Sequence, residues 1–534
     1  MAKHDIKSDP EESNRMWASA SFVGVLIVIG LPLWWKTTEV YRVSLPYDKI
    51  NSFDTDAHFI TSELIVLAND EPTASEVAGL IEKAFEDSDV IKLTIKKQIL
   101  SGALHSALDS VADDHEAVEE VGKTFDLKKH NTLYVVQRKP LFQDVWMDGE
   151  RVALFRDAKA APKLVQVLTN WVYQPEVLVG ARGRVADTAR QTRFPPDRGY
   201  HIALSVVHPA PSELKVDFQA GEAVEDYIGS FVDELSELHN FTLKSQWLHL
   251  LDFDFQAREV KDSSPWGRHF EVPPARLQQL LTALEERAAT HVSELPTLNL
   301  ALYAAPCRLA PLLVHAGDGN KVAAPVQAFM SPKWGGVVLG SPTEAECRAE
   351  SPTWKPTTRL IMGTFIAQLR TLLGITDKES IEGALLEPLR SVTPRAWELD
   401  ALLRIRTLEQ LTSAERSLKS LARLLGEISN IVINDDVGAG INSAVDSIRV
   451  AAEQLAAGRL LDAYRTSQRA FLAAETAFME PSLLALLYFP DDQKYAIYIP
   501  LFLPIMVPVI LSLKNLFLWF QGKPIHKEDK EKTD

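Results

Sequence analysis

The chain has 534 residues, of which 46% are hydrophobic and 24% charged, the usage of a folded globular protein. That length allows two or three domains of about 150 residues each. A net charge of -16 offers no basic face of the kind nucleic-acid binding needs, so that class of partner is set aside.

Residues 1–15 are polar and read as a disordered N-terminus. Met16 to Trp35 carries no charge, with Arg15 before it and Lys36 after it. Its apolar body, FVGVLIVIGLPLWW, is long for a secretory signal, and no small-x-small cleavage site follows. Trp34, Trp35, Tyr41 and Tyr47 have the character of an interfacial aromatic belt. A transmembrane helix over 16–35 is therefore expected, acting as an uncleaved anchor.

Beyond it, ELIVLA (Glu63 to Ala68) predicts a short strand. Val77, Leu80, Ile81 and Phe85 then fall on one face of a helix over Thr73 to Phe85. Strands are expected at Asn131–Gln137, Val152–Arg156, Tyr200–His208 and Leu298–Ala304, with a strand or hairpin at Phe241–Phe255. Helices are expected at Lys163–Val172, Val224–Leu238 and Pro274–Ala288. This alternation predicts a layered α/β region over 36–395.

At Trp397 the pattern changes. Leu402, Leu403, Leu408, Leu411, Leu418, Leu421, Leu425 and Ile428 recur mostly at steps of 3, 4 or 7, the mark of a long amphipathic helix. NDDVGAG (Asn434 to Gly440) predicts a break. A second helix through Val445, Ile448, Ala452 and Leu455 ends at Gly458, and a third runs through Leu461, Tyr464, Phe471 and Leu472. The segment 396–480 is thus helical.

From Tyr495 to Leu513 no charged residue occurs. As a helix rising about 1.5 Å per residue, this stretch spans a bilayer core of about 30 Å. Pro500, Pro504 and Pro508 repeat along one side and predict a bend. Two readings stand: a tolerated kinked anchor, or a helix shaped for packing against a partner. Lys514, Lys523, Lys527, Lys530 and Lys532 follow the span, whereas only Lys494 precedes it within twenty residues. The positive-inside rule then places 514–534 in the cytosol. With two spans, both termini are cytosolic and the large middle lies on the other side.

Several stretches are candidates for chemistry. Asp252-Phe253-Asp254 in LLDFDF is a DxD pair able to hold a divalent ion and a nucleotide sugar. The plainer explanation is an amphipathic strand with Leu251, Phe253 and Phe255 inward. Asp113-Asp114-His115 carries metal-ligand types but sits on a charged helix face. Asn434-Asp435-Asp436 follows turn and N-cap preference. Cys307 and Cys347 form either one bridge in an oxidising compartment or two buried thiols, the second being slightly favoured. Cys307 carries no local signature of a nucleophile. The loop Ser331-Pro332-Lys333-Trp334-Gly335-Gly336 reads as a structural corner or a partner contact, with Trp334 offering a large apolar surface. One glycosylation acceptor occurs, Asn240-Phe241-Thr242. No H-E-x-x-H, G-x-S-x-G or P-loop is present.

GLPLWWKTTEVYRVSLPY (Gly30 to Tyr47), AFMSPKWGG (Ala328 to Gly336), WELD (Trp397 to Asp400), LLGEISNIVINDDV (Leu424 to Val437) and LLYFPDDQKYAIYIPLFLP (Leu486 to Pro504) resemble the PIG-S family, the S subunits of the glycosylphosphatidylinositol (GPI) transamidase. The resemblance implies a non-catalytic subunit of an endoplasmic reticulum complex, with two spans and a lumenal domain. It implies partnership with other subunits, including a cysteine-protease-like catalytic one, and with membrane lipid. No catalytic, cofactor-binding or metal-binding residue is implied. The competing reading from the residues is a lumenal glycosyltransferase using Asp252 and Asp254.

Overall fold

A computed structural model of the chain describes residues 10–183, 192–253, 256–261, 267–288, 293–314, 326–428, 431–485 and 491–521. The chain separates into two compact units. One comprises 52–416 and 443–475, the other 1–51, 417–442 and 476–534.

The larger unit holds two mostly parallel sheets. Strands β1 (Ile60–Ala68), β2 (Ile91–Ile99), β3 (Thr132–Gln137), β4 (Val145–Met147), β5 (Val152–Phe155) and β16 (Ala384–Leu386) form the first, in the order β16-β4-β5-β3-β1-β2. Only β4 and β5 pair antiparallel. β3 and β5 are buried along their whole length, which is why they read as unbroken apolar runs. The helix Glu71–Phe85 carries the chain from β1 to β2. Asp70 caps it by accepting from the Thr73 amide at 2.8 Å, and Ala74, Val77, Ala78, Ile81 and Phe85 face the core.

The second sheet is built from β6 (Gly199–His208), β8 (Asn240–His249), β11 (Thr297–Ala304), β13 (Gln327–Ser331) and β14 (Gly335–Gly340), in the order β13-β14-β11-β6-β8. Its members are parallel except for the β13–β14 hairpin. A small sheet joins β9 (Arg258–Lys261), β10 (Arg268–Val272) and β12 (Leu312–Val314). β7 (Lys215–Val216) pairs with β15 (Thr353–Trp354). In each large sheet the chain leaves a central strand, β1 or β6, fills one side and then returns to the other. Each is therefore a doubly wound half.

The strand or hairpin expected at Phe241–Phe255 is a single strand that stops at His249. Leu250 turns to a left-handed φ of 59° and its amide bonds back to the His208 carbonyl at 3.0 Å. Leu251 and Phe253 still pack on the core beside Tyr303 and Val207, as the alternation predicts; Phe255 lies outside the described residues. The expectation of free thiols is overturned, because Cys307 and Cys347 are bonded, with Cα atoms 5.7 Å apart. Cys307 follows β11 and Cys347 follows β14. These strands are neighbours in one sheet, so their C-terminal loops lie side by side.

The helical segment consists of Ala396–Glu427, Asp435–Ala456 and Leu460–Phe478, and Gly458 ends the second at a φ of 76°. The break expected at Asn434–Gly440 lies before it instead. Asn434 is the N-cap, accepting from the Val437 amide at 2.9 Å, and the glycines sit inside the helix. Asp435 and Asp436 in the first turn suit the positive end of the helix dipole. Gly438 is required by close packing: a Cβ there would lie 2.8 Å from Val43 Cγ1.

The smaller unit holds the two apolar helices. The first runs as Pro10–Val25, a π-helical turn Leu26–Gly30, and Leu31–Thr38. Residues 10–15 are thus helical where disorder was expected, and 1–9 lie outside the described residues. The second is Asp491–Phe520, continuous through Pro500, Pro504 and Pro508. Ser13–Lys36 and Ala496–Phe520 are each long and apolar enough to cross a membrane. After the first, the chain is strapped to Ile433, whose carbonyl accepts from Val43 at 3.1 Å and whose amide donates to Tyr41 at 3.0 Å. Arg42 reaches the Leu425 and Ile428 carbonyls, satisfying groups that the Ala396–Glu427 helix leaves open at its C-terminus.

Candidate functional site

The long helix that begins at Ala396 is buried on every side from Trp397 to Thr412, its charged residues included. Glu398, Asp400, Arg404, Arg406, Glu409 and Glu415 are all buried. Burying a charge is costly unless it is paired, and each of these has a partner. Arg151 grips Asp400 with Nε on Oδ2 at 2.7 Å and NH2 on Oδ1 at 2.8 Å. The Asn131 amide donates to Oδ2 at 3.1 Å, and His130 Nδ1 lies 2.8 Å from Oδ1. Arg404 donates to Asn131 Oδ1 at 3.3 Å and to the Val172 carbonyl at 3.0 Å. Glu398 receives Arg370 at 2.9 and 3.0 Å and Arg395 at 3.0 Å. Trp397, fully buried, donates its indole N–H to the Asp148 carbonyl at 2.8 Å.

A polar cleft of about 750 Å³ opens beside this cluster. His115, Glu150, Arg151, Glu237 and Arg390 line it, and His130 bridges inward, its Nε2 being 3.1 Å from Glu237 Oε2. Burial and the neighbouring Asp148 push the Glu150 carboxyl up. Burial also acts to raise Asp400, but hydrogen bonds from Arg151 and His130 outweigh it and hold that carboxyl below the ordinary carboxylate range. A carboxylate so stabilised, with both oxygens engaged, is a poor proton acceptor at neutral pH. Its evident work is to fix one register between the helix and the N-terminal ends of β3 and β5, the use best attested for buried polar groups.

Of the residues singled out in the sequence, His115 lines this cleft, and Asp252 of the DxD pair, the Trp334 corner, Asn240 and the prolines lie elsewhere. The Asp252 carboxylate is paired with Arg308 at 2.5 Å, and Arg308 also reaches Glu213 at 3.4 Å; Asp254 lies outside the described residues. Asp113 caps the helix Asp114–Thr124, Asp114 pairs with the buried Arg138, and His115 Nδ1 faces Asp148 at 3.3 Å. Trp334 is half-buried against the cluster of Val207, Tyr303 and Val337 at the corner between β13 and β14. Lys333 there takes a φ of 57°. A Cβ on Gly335 would fall 1.8 Å from the Asn299 carbonyl oxygen, so only glycine fits. Asn240 is exposed, as is Thr242, at the start of β8.

Pro500, Pro504 and Pro508 are exposed. The side of their helix that meets the first apolar helix is a different one. Trp34 stands edge-on to Tyr498 at 5.8 Å and to Phe502 at 5.4 Å, and Val509 is buried.

Sequence reasoning missed His130, Arg151, Glu398 and Asp400 as a cluster. A signal was present: Asp400 and Arg404 fall on the side of the 396–427 helix that bears Leu411, Leu418 and Leu425, where a plain amphipathic helix has no charge.

These features define the class: an α/β protein bearing a helical segment and two helices suited to a membrane. The sequence pattern of the family described as "PIG-S: Phosphatidylinositol-glycan biosynthesis class S protein" matches residues 21–523. The protein named GPI-anchor transamidase component PIGS in Rattus norvegicus is 32% identical, with 94% of each chain covered. Its namesake in Homo sapiens is 33% identical at the same coverage. The GPI transamidase component PIG-S homolog of Schizosaccharomyces pombe is 24% identical over 97% of this chain and 87% of its own. The chain belongs to the PIG-S family.

Proposed function

We propose that this chain is a non-catalytic subunit of a GPI transamidase, the complex that attaches GPI anchors to proproteins in the endoplasmic reticulum. The observation that carries the reading is the near-complete match to proteins named as components of that enzyme. Its partners are the other subunits, including the cysteine-protease-like catalytic one, and membrane lipid. Both apolar helices cross the membrane, both termini are cytosolic, and the α/β and helical regions are lumenal. Three features support that side: lysines concentrated after the second span, a disulfide, and an exposed acceptor at Asn240. The non-catalytic role is supported by the state of the acids, since Asp400 is held by Arg151 and Asp252 by Arg308. Trp334 and the proline side of the second span are taken as partner-packing positions.

The test is purification of the tagged chain from membranes with identification of co-purifying subunits, together with glycan mapping. Co-recovery of the transamidase subunits and a glycan on Asn240 are expected. A glycan on an acceptor appended beyond Asp534 would overturn the orientation. Nucleotide-sugar turnover lost in Asp252→Asn would overturn the non-catalytic role.

A further inference from the structure

Lys378 lies in the segment between the helix Thr358–Leu373 and β16. Its ammonium stands 5.8 Å from the centre of the Trp397 ring, and the Arg395 guanidinium stands 5.9 Å from the same ring. Lys378 is half-buried and, among the described residues, forms no hydrogen bond or ion pair. The acids around it are spent or turned away. Arg370 NH2 donates to both oxygens of Glu398, at 2.9 and 3.0 Å. Arg395 adds NH1 to Oε1 at 3.0 Å and its amide to Oε2 at 2.9 Å. Asp377 and Glu379, the sequence neighbours of Lys378, are exposed, and their carboxylates pair with no cation among the described residues.

Three cations, Arg370, Lys378 and Arg395, thus share one buried carboxylate. Arg370 is only 5% exposed, and its NH1 is sealed from water with no acceptor, an expensive state for a charged donor. Burial, together with the Arg370 and Arg395 charges, pulls the Lys378 amine down to about 8 against the opposing pull of Glu398 and Asp377. At pH 7 a group near 8 is neutral in about one molecule in ten, an ordinary lysine in about one in 2,500. A neutral, desolvated lysine beside other cations is a nucleophile. The cluster lacks an anion, but one arriving from solvent would have to shed its hydration to reach NH1. A small neutral molecule that becomes an anion on Lys378 itself meets no such barrier.

We infer that Lys378 is a carbamylation site, whose amine takes up carbon dioxide to form an N-linked carboxylate held by Arg370 and Arg395. The nitrogen lone pair attacks the carbon of carbon dioxide. One N–C bond forms, one C=O π pair moves onto oxygen, and a nitrogen proton leaves to water. Starting from the ammonium, two protons are released for each carbon dioxide bound, and no oxidant or further reactant enters. The step replaces a positive charge by a negative one, so the cluster passes from three cations and one anion to two of each. It also supplies an acceptor for Arg370 NH1, in a charge-assisted hydrogen bond. The result is a brace between the segment before β16 and the first turn of the long helix. The site is independent of the subunit reading above.

The experiment uses the full-length chain in detergent with carbon-13-labelled bicarbonate in a sealed cell near pH 8, where the Lys378 amine is half neutral. Carbamates are trapped by a trialkyloxonium salt and located by peptide mass mapping, with carbon-13 NMR on the untrapped sample. A trapped carboxyl is expected on Lys378, at least about tenfold above that on the exposed Lys333. Its occupancy should rise with pH at fixed carbon dioxide pressure, because protons are released. Bicarbonate should raise the unfolding midpoint above that in chloride of equal pH and ionic strength. Lys378→Arg, which keeps the charge but not the reactive amine, should lose both the trapped group and the rise. The wild-type map needs no variant to be read. No trapped carboxyl on Lys378 in the folded chain overturns the inference, as does label confined to the α-amino group or spread evenly over exposed lysines. A carbamate on Lys378 without the rise in midpoint overturns its capture by the arginines.

Discussion

Arg151 and Asp400 meet through two hydrogen bonds across 249 residues of sequence, joining the start of β5 to the start of the long helix. Both side chains are at most 5% exposed, so the pair is sealed from water. Replacing such a pair with apolar groups is often tolerated, whereas removing one partner strands the other's charge.

Asp400→Ala should therefore destabilise the larger unit by about 3–5 kcal/mol, and Arg151→Ala by a similar amount. The double change Arg151→Met with Asp400→Leu should cost less than either single change. Thermal unfolding of the purified chain measures this. A double variant as damaged as the sum of the singles would show that the two residues act independently.

His239 gives the chain an acid sensitivity. It is buried among the rings of Tyr200, Phe241 and Tyr464, with centroids 4.9 to 6.2 Å away. Burial, reinforced by the nearby Arg406 charge, pulls its pKa down to about 3. Below about pH 6.5 the unfolded ring takes up a proton that the folded ring refuses, so stability falls as pH drops from 6.5 toward 3. One such group contributes up to ~1.4 kcal/mol per pH unit in that window. The Asp400 shift adds to the loss only at lower pH, below the ordinary carboxylate value of about 4. His239→Phe should flatten the dependence of unfolding midpoint on pH between 6.5 and 4. An unaltered slope would assign the acid sensitivity to other groups.

Much of the architecture is legible in local pattern because burial repeats locally. Leu64 to Ala68 is apolar throughout since that end of β1 is covered on both faces, and Val77, Ile81 and Phe85 mark the inner side of one crossover helix. The partners of Asp400 were illegible for the opposite reason. They come from β3 and β5, and no spacing within WELD reveals a guanidinium brought in by topology. The end of β8 failed likewise. LLDFDF continues the alternation, but Leu250 turns left-handed and no residue type there announces it. Cys307 and Cys347 needed the adjacency of β11 and β14 before a bridge followed.

That bridge closes a loop with a sequence separation of 40. On chain-entropy grounds such a loop corresponds to about 4 kcal/mol of restraint on the unfolded state, an upper figure where the reduced state keeps structure. Cys307→Ser with Cys347→Ser should lower the unfolding midpoint, and a reducing agent should lower it equally in the wild type while leaving the double variant unmoved. A reductant effect that persists without both cysteines would point away from this bond.

The proline-bearing helix tests whether a span is more than an anchor. Insertion depends on length and hydrophobicity, which any apolar helix of equal length supplies. Packing between membrane helices depends on shape, because lipid tails are as apolar as the side chains. Within the chain, Trp34 meets the side bearing Tyr498 and Phe502, while Pro500, Pro504 and Pro508 stay exposed on another. Their missing amides leave carbonyls that a neighbouring helix or water satisfies. Replacing all three with leucine should preserve insertion and the Trp34 contact while weakening co-purification with other transamidase subunits. Cell-surface levels of a GPI-anchored reporter should fall in step. The milder control is Pro32→Leu, a single proline in the first span. If the triple variant shows wild-type co-purification at matched expression and wild-type reporter levels, the helix serves as an anchor only and its proline side has no partner.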